Sequence, residues 1–307
     1  MKILIADKLD EEGIKIFEEN GFQIVKDYKI SHNDLIKQIE HYDGIVVRSR
    51  TKVTSEVLMN ANNLKVIGRA GVGLDNIDLI KAEELGIKVF NTPEAPSVSV
   101  AELAIGLMLS LARHISKADE TMHQGKWLKN DYMGYTLKGK KIGLIGLGNI
   151  GQEVAKRCKA FGMRIGIFDV LPEINQKAKE AGYTIYNSID DLMRDVQIIS
   201  LHIPANPHTE NLINENRLKL MNKNTILINT SRGQLIDEDA LVKALKNKEI
   251  GGAGLDVFRE EPLNNKELME IKDNLILTPH LGSTTKETQL DAAVMIAELM
   301  SDYLKNL

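Results

Sequence analysis

Short apolar runs alternate with amphipathic stretches along almost the whole chain. Runs of four or five apolar residues with polar borders read as buried strands of a parallel sheet. Stretches repeating apolar residues at three and four positions read as helices packed on it. Near the N-terminus this pattern predicts strands over 2–6, 23–26, 44–47, 64–68 and 88–90, and helices over 10–20, 31–41, 55–62 and 77–85. Ser31 is placed to cap its helix, and Gly86 stands where a helix end needs a left-handed residue. The alternation restarts at Lys140. Strands are expected over 141–145, 164–168, 197–201, 225–229, 254–257 and 275–277, with helices over 150–161, 174–181, 189–194, 215–221 and 238–247. The fold class that follows is α/β, with two doubly wound parallel-sheet units. A long helix over 98–113 and a segment over 117–139 separate them. A last helix over 286–304, with no strand after it, either caps the second unit or returns to the first.

Composition agrees with two ordinary cores: 307 residues, 43% hydrophobic and 27% charged. A net charge of −4 argues against nucleic acid or an anionic membrane as partner. The lone cysteine, Cys158, excludes an intrachain disulfide and a thiolate metal cluster, and no metal is expected. The most apolar stretch, 98–112, is short for a membrane span and holds Ser99, Glu102 and Ser110. The run over 1–7 is too short for a signal peptide, so a cytoplasmic location is expected.

Chemistry enters at the start of the second alternation. Gly146-Leu-Gly148-Asn-Ile-Gly151 follows one predicted strand and opens a helix, the context a dinucleotide fingerprint requires. Gly146 allows the tight turn, Gly148 lets the backbone approach a pyrophosphate, and Gly151 lets helix and strand close up. Asp169 ends the next predicted strand, where a carboxylate can accept from both adenine-ribose hydroxyls and would repel a 2′-phosphate. The following Val-Leu-Pro offers no arginine, so NAD is favoured over NADP.

Three polar residues follow three later strands: Arg232 after 225–229, Glu261 after 254–257 and His280 after 275–277. Ligands of open parallel sheets sit beyond the carboxyl ends of the strands. A guanidinium can hold a carboxylate and a C2 oxygen, an imidazole can exchange the hydroxyl proton, and a carboxylate can orient that imidazole. Plainer alternatives are a surface ion pair for Arg232, a solvated loop acid for Glu261 and a core histidine for His280. His123, His202 and His208 are rival imidazoles. Asp256 interrupts an apolar run, so it is expected to be partly buried, either meeting the nicotinamide carboxamide or capping local backbone.

These segments, together with Val47-Arg-Ser, Gly68-Arg-Ala-Gly-Val-Gly-Leu-Asp-Asn, Asn229-Thr-Ser-Arg-Gly and Leu255-Asp-Val-Phe-Arg-Glu-Glu-Pro, resemble the D-isomer-specific 2-hydroxyacid dehydrogenases along nearly the whole chain. The resemblance implies a flavodoxin-like substrate domain over 1–97 plus 284–307 and a Rossmann NAD domain over 98–283. It makes Arg232 the substrate carboxylate ligand, His280 the acid–base and Glu261 its partner. It places Asn149, Ile150, Ile203, Thr230, Ser231, Asp256, Gly282 and Ser283 with the fingerprint around NAD. Ile203 and Val72 stand where the family often has threonine. The segment over 117–139 becomes an arm gripping a second subunit of a homodimer, with Trp127 and Lys129 reaching the partner's site. Asn130 and Asp131 depart from the more basic family pattern there.

The segments at Arg48 and Gly68 resemble the branch that oxidises 3-phospho-D-glycerate to 3-phosphohydroxypyruvate, the entry to L-serine synthesis. Arg48, Ser49, Arg50, Lys52, Arg69, Gly71, Val72 and Gly73 are then the expected substrate loops, with the cations taking the phosphate. Closure of the two domains would exclude water. The chain ends after one helix where many of that branch carry a serine-sensing domain, so such feedback is not expected. Two alternatives stay open: a relative acting on glyoxylate, hydroxypyruvate or another small 2-keto acid, and an NAD-sensing co-repressor-like protein that keeps the Arg/Glu/His set without turnover.

Overall fold

A computed structural model of the protein describes residues 1–307. The chain divides into two compact units, Met1–Pro96 with Ser283–Leu307, and Ser97–Gly282. The first holds five parallel strands: β1 (Lys2–Ile5), β2 (Gln23–Lys26), β3 (Gly44–Val47), β4 (Val66–Arg69) and β5 (Lys88–Asn91). Their order, β2-β1-β3-β4-β5, is the flavodoxin-like one.

The central strands are apolar at nearly every position because helices cover both faces. On one face Ile3, Ile5 and Val66 pack with Phe17 of the helix Glu11–Glu19 and with Ile296 and Met300 of the helix Lys286–Lys305. On the other, Leu4, Ile45 and Ile67 pack with Leu35 and Val57. The last helix therefore returns to the first unit. Asp10, Ser31, Thr54, Asp78 and Thr285 each accept a backbone N–H in the first turn of the helix that follows.

The second unit carries seven parallel strands: β6 (Lys141–Ile145), β7 (Arg164–Phe168), β8 (Thr184–Ile185), β9 (Ile198–Leu201), β10 (Ile226–Asn229), β11 (Gly252–Leu255) and β12 (Leu275–Leu277). The order β12-β11-β10-β9-β6-β7-β8 is the Rossmann arrangement with a seventh strand, and reverses direction between β6 and β9. The helix Ser97–Arg113 buries Ala101, Ala104, Leu107 and Met108 in this unit's core. No single helix is long and apolar enough to cross a membrane.

Three elements differ from the sequence expectation. β11 begins two residues earlier than read, because Gly252 and Ala253 also belong to the strand. A Cβ on Gly254 would meet Leu107 at 3.0 Å, so the helix Ser97–Arg113 occupies the space of the missing side chain. Asp256 consequently lies just past β11 instead of inside it. The segment over 117–139 is not wholly irregular: the helix Ile115–His123 fills its start, after a left-handed His114 at φ 54° breaks the preceding helix. The strand read over 64–68 begins at Val66 and extends to Arg69.

Candidate active site

At the end of β6, Gly146 turns the chain at φ 93°. A side chain there would lie 2.5 Å from the His202 carbonyl oxygen and 2.6 Å from Ile203 Cγ2, so the expected cofactor residue Ile203 packs against the turn. A Cβ on Gly151 would lie 2.5 Å from the Gly146 carbonyl, which lets the helix Asn149–Ala160 start tight against the loop. A Cβ on Gly148 would touch nothing. Packing therefore does not explain that glycine, whereas close approach of a ligand does. Gly148 caps the helix without a side-chain bond, leaving the first-turn N–H groups of Asn149, Ile150 and Gly151 open to an anion.

Asp169 reaches back from the end of β7. One carboxylate oxygen accepts from Leu147 N–H at 2.8 Å and the other from Leu171 N–H at 3.0 Å. The partly exposed carboxylate keeps further acceptor positions for hydroxyl donors. Beyond β10, Ser231 donates to the Ile203 carbonyl at 2.6 Å, while the buried Thr230 Oγ1 has no partner. An orphaned hydroxyl, an open helix N-terminus and an unfilled glycine cradle are what a dinucleotide would satisfy. Gly282 is buried after β12, and Ser283 opens the returning segment.

Arg232, Glu261 and His280 follow the adjacent strands β10, β11 and β12. Two devices bring their loops together. Gly233 lies directly on the Phe258 backbone carbonyl, where no side chain fits. Glu261 Oε1 accepts from Phe258 N–H at 3.0 Å, and its Oε2 lies 2.7 Å from His280 Nδ1. Partial burial works against the Glu261 carboxylate. The bonds from His280 and Phe258, with the Arg232 charge nearby, outweigh it and hold the carboxyl below its ordinary range. An ionised Glu261 makes Nδ1 the donor, which leaves His280 Nε2 outside that contact. Buried Asn229 holds the Arg232 turn by donating to the Arg232 carbonyl at 2.8 Å and accepting from Ser231 N–H at 3.0 Å. Its shaping role was missed; its sequence signal is a lone amide closing an apolar strand.

The rival histidines are placed elsewhere. His123 pairs with Asp119 on an exposed helix, and His208 lies in an exposed turn. His202 sits against the glycine loop, 2.9 Å from Ser200 Oγ, and burial pushes it down to about 4. It is neutral at pH 7 and has no carboxylate partner.

In the first unit, Arg48 follows β3 and Arg69 ends the adjacent β4. The Arg48 backbone is fixed by Asp7 and Asn76, and its guanidinium makes no side-chain bond. Ser49 and Lys52 are exposed. The Arg69 guanidinium lies over Gly71, in the space a side chain there would take. The Val72 carbonyl accepts from Asn91 at 2.6 Å, whereas the Val72 and Gly73 N–H groups have no partner in the chain.

Arg50 is engaged within its own unit. Its guanidinium is spent on Asp7 Oδ1, the Ala6 and Ile30 carbonyls and Thr51 Oγ1, at 2.6 to 3.2 Å. Buried Asp7 needed those donors, so Arg50 braces the loop.

Residues 105–282 match the NAD binding domain of the D-isomer specific 2-hydroxyacid dehydrogenases. The chain belongs to that family. Its second unit is the family's NAD-binding domain, and NAD is its cofactor. The D-3-phosphoglycerate dehydrogenase of Methanocaldococcus jannaschii is 45% identical over 99% of this chain and 58% of its own length. The hydroxypyruvate reductase of Thermotoga maritima is 42% identical over 97% of this chain and 96% of its own. The TT0316 protein of Thermus thermophilus superposes with a TM-score of 0.89 at 33% identity, covering 100% of this chain and 97% of that one. The chain spans 54 to 58% of the length of three D-3-phosphoglycerate dehydrogenases that it matches.

Proposed function

We propose that this chain is an NAD-dependent D-2-hydroxyacid dehydrogenase acting on 3-phospho-D-glycerate, which it oxidises to 3-phosphohydroxypyruvate. The observation that carries the reading is the 2.7 Å contact of Glu261 with His280, on a loop next to the one bearing Arg232 and in the unit that holds the dinucleotide fingerprint. When bound, the nicotinamide supplies a hydride acceptor. Arg232 holds the substrate carboxylate and the C2 oxygen with its planar fork. His280 Nε2 takes the C2 hydroxyl proton as the C2 hydrogen leaves with its electron pair, and returns it in reduction. Glu261 fixes the imidazole tautomer and offsets its charge once it is protonated. Gly146, Gly148, Gly151 and the first-turn N–H groups would hold the pyrophosphate, and Asp169 the adenine ribose.

The phosphate is assigned to Arg48 and Arg69, with the Val72 and Gly73 N–H groups for the carboxylate. The alternative is a small unphosphorylated 2-keto acid, a reading favoured by the full-length similarity to a hydroxypyruvate reductase. Arg48→Ala and Arg69→Ala separate them. Each is expected to lower kcat/KM for 3-phosphohydroxypyruvate by about tenfold or more while leaving glyoxylate within roughly threefold. Equal losses on both substrates would remove the phosphate assignment. We also assign the segment after the helix Ile115–His123 to a homodimer contact, because it leaves Trp127 77% and Met133 85% exposed.

A further inference from the structure

Catalysis by an imidazole needs its backbone held as firmly as its ring, and His280 is held in an unfavourable conformation. It is left-handed, at φ 53°, a conformation that disfavours a residue with a side chain. Glu261 grips only the ring, so another group must hold the turn.

That group is Asp256. It is fully buried, and its carboxylate is surrounded by donors from the His280 loop. Oδ1 accepts from Thr278 Oγ1 at 2.6 Å and from Leu281 N–H at 2.8 Å, and Oδ2 accepts from Gly282 N–H at 2.9 Å. The Asp256 backbone carbonyl accepts from His280 N–H at 2.8 Å, and its own N–H donates to the Asn229 carbonyl at 2.9 Å. One residue thus binds position 278 before the histidine, the histidine itself, and positions 281 and 282 after it. Through Asn229 it also connects to the turn that carries Arg232. The carboxylate is matched to three donors at once. An amide is not: with its oxygen toward Thr278 and Leu281, its NH2 faces the Gly282 N–H.

We infer that Asp256 is a positioning residue for the reaction: it clamps the turn bearing His280 and thereby sets where Nε2 points. Contact with the nicotinamide is a separate role that this clamp does not require. The inference rests on His280 being the acid–base.

The test compares Asp256→Asn, Thr278→Val and His280→Gln in the full chain, with three readouts. These are kcat for NADH-dependent reduction of the best 2-keto acid, the NADH dissociation constant, and the 1H–15N signal of His280 Nδ1–H in protein without NADH. Displacing a general acid by about an ångström costs on the order of a hundredfold in rate. Asp256→Asn is expected to lower kcat about that much, to leave NADH affinity within roughly threefold, and to abolish the ordered Nδ1–H signal. Thr278→Val, which removes one donor and no charge, is expected to shift kcat and the signal in the same direction by less, and decides alone if Asp256→Asn does not fold. NADH affinity falling in step with kcat, or an unchanged His280 signal in the folded variants, would overturn the clamp. A near-wild-type kcat for His280→Gln would instead overturn the acid–base reading, while the Nδ1–H signal still decides what Asp256 holds.

Discussion

Two imidazoles of the second unit have opposite surroundings. His280 has a carboxylate at 2.7 Å and 46% of its side chain in solvent, whereas His202 has only a serine hydroxyl and is pushed down to about 4 by burial. The consequence for His202 is a pH-dependent stability. Its folded-state pKa lies below the ordinary value, so between pH 6.5 and 4 the unfolded chain binds a proton that the folded one refuses. Stability is therefore undiminished above pH 6.5 and falls as pH drops, by at most about 1.4 kcal/mol per pH unit. Urea unfolding at pH 7 and pH 5 checks this. Wild type is expected to lose about 2 kcal/mol more than His202→Leu across that step, and equal losses would count against a neutral His202. Glu261 behaves with the opposite sign. Its lowered carboxyl gives stability present above the ordinary carboxylate range and lost only as pH falls through the lower folded value, so the pair with His280 persists wherever an imidazole titrates.

At the scale of elements, the packing of the two helices on one face of the first sheet turns on Gly13. A Cβ there would meet the Ala293 carbonyl oxygen at 2.5 Å, so the helices Glu11–Glu19 and Lys286–Lys305 touch backbone to backbone. Alanine favours a helix over glycine by about 1 kcal/mol. Forcing the pair apart costs about 1 to 3 kcal/mol, so Gly13→Ala is expected to be destabilising in chemical denaturation. A variant more stable than wild type would mean that the two helices are not so closely held. The sequence showed the strands, because a sheet covered on both faces must be apolar throughout, and it showed the Arg/Glu/His set, because each residue follows a strand end. It did not single out the helix Ile115–His123, which buries no residue and leaves Ile115 and Met122 exposed. It placed β11 two residues late because the neighbour that crowds Gly252, the Asn274 carbonyl, is distant in sequence. It did not show the Arg50 brace for the same reason: Asp7 and the Ile30 carbonyl meet it only in the folded chain.

For the whole molecule, the proposed site residues are distributed over the two units. The second carries the fingerprint, Arg232, Glu261 and His280; the first carries Arg48 and Arg69. Similar chains include both a D-3-phosphoglycerate dehydrogenase and a hydroxypyruvate reductase, so fold and family leave the substrate open. The most direct measurement is NADH oxidation with 3-phosphohydroxypyruvate, hydroxypyruvate and glyoxylate in parallel. The account predicts a kcat/KM for the phosphorylated acid about a hundredfold above the other two, which corresponds to roughly 2.7 kcal/mol of transition-state discrimination. A higher value for hydroxypyruvate or glyoxylate would contradict the phosphate assignment, and no turnover with any of the three would contradict the dehydrogenase itself.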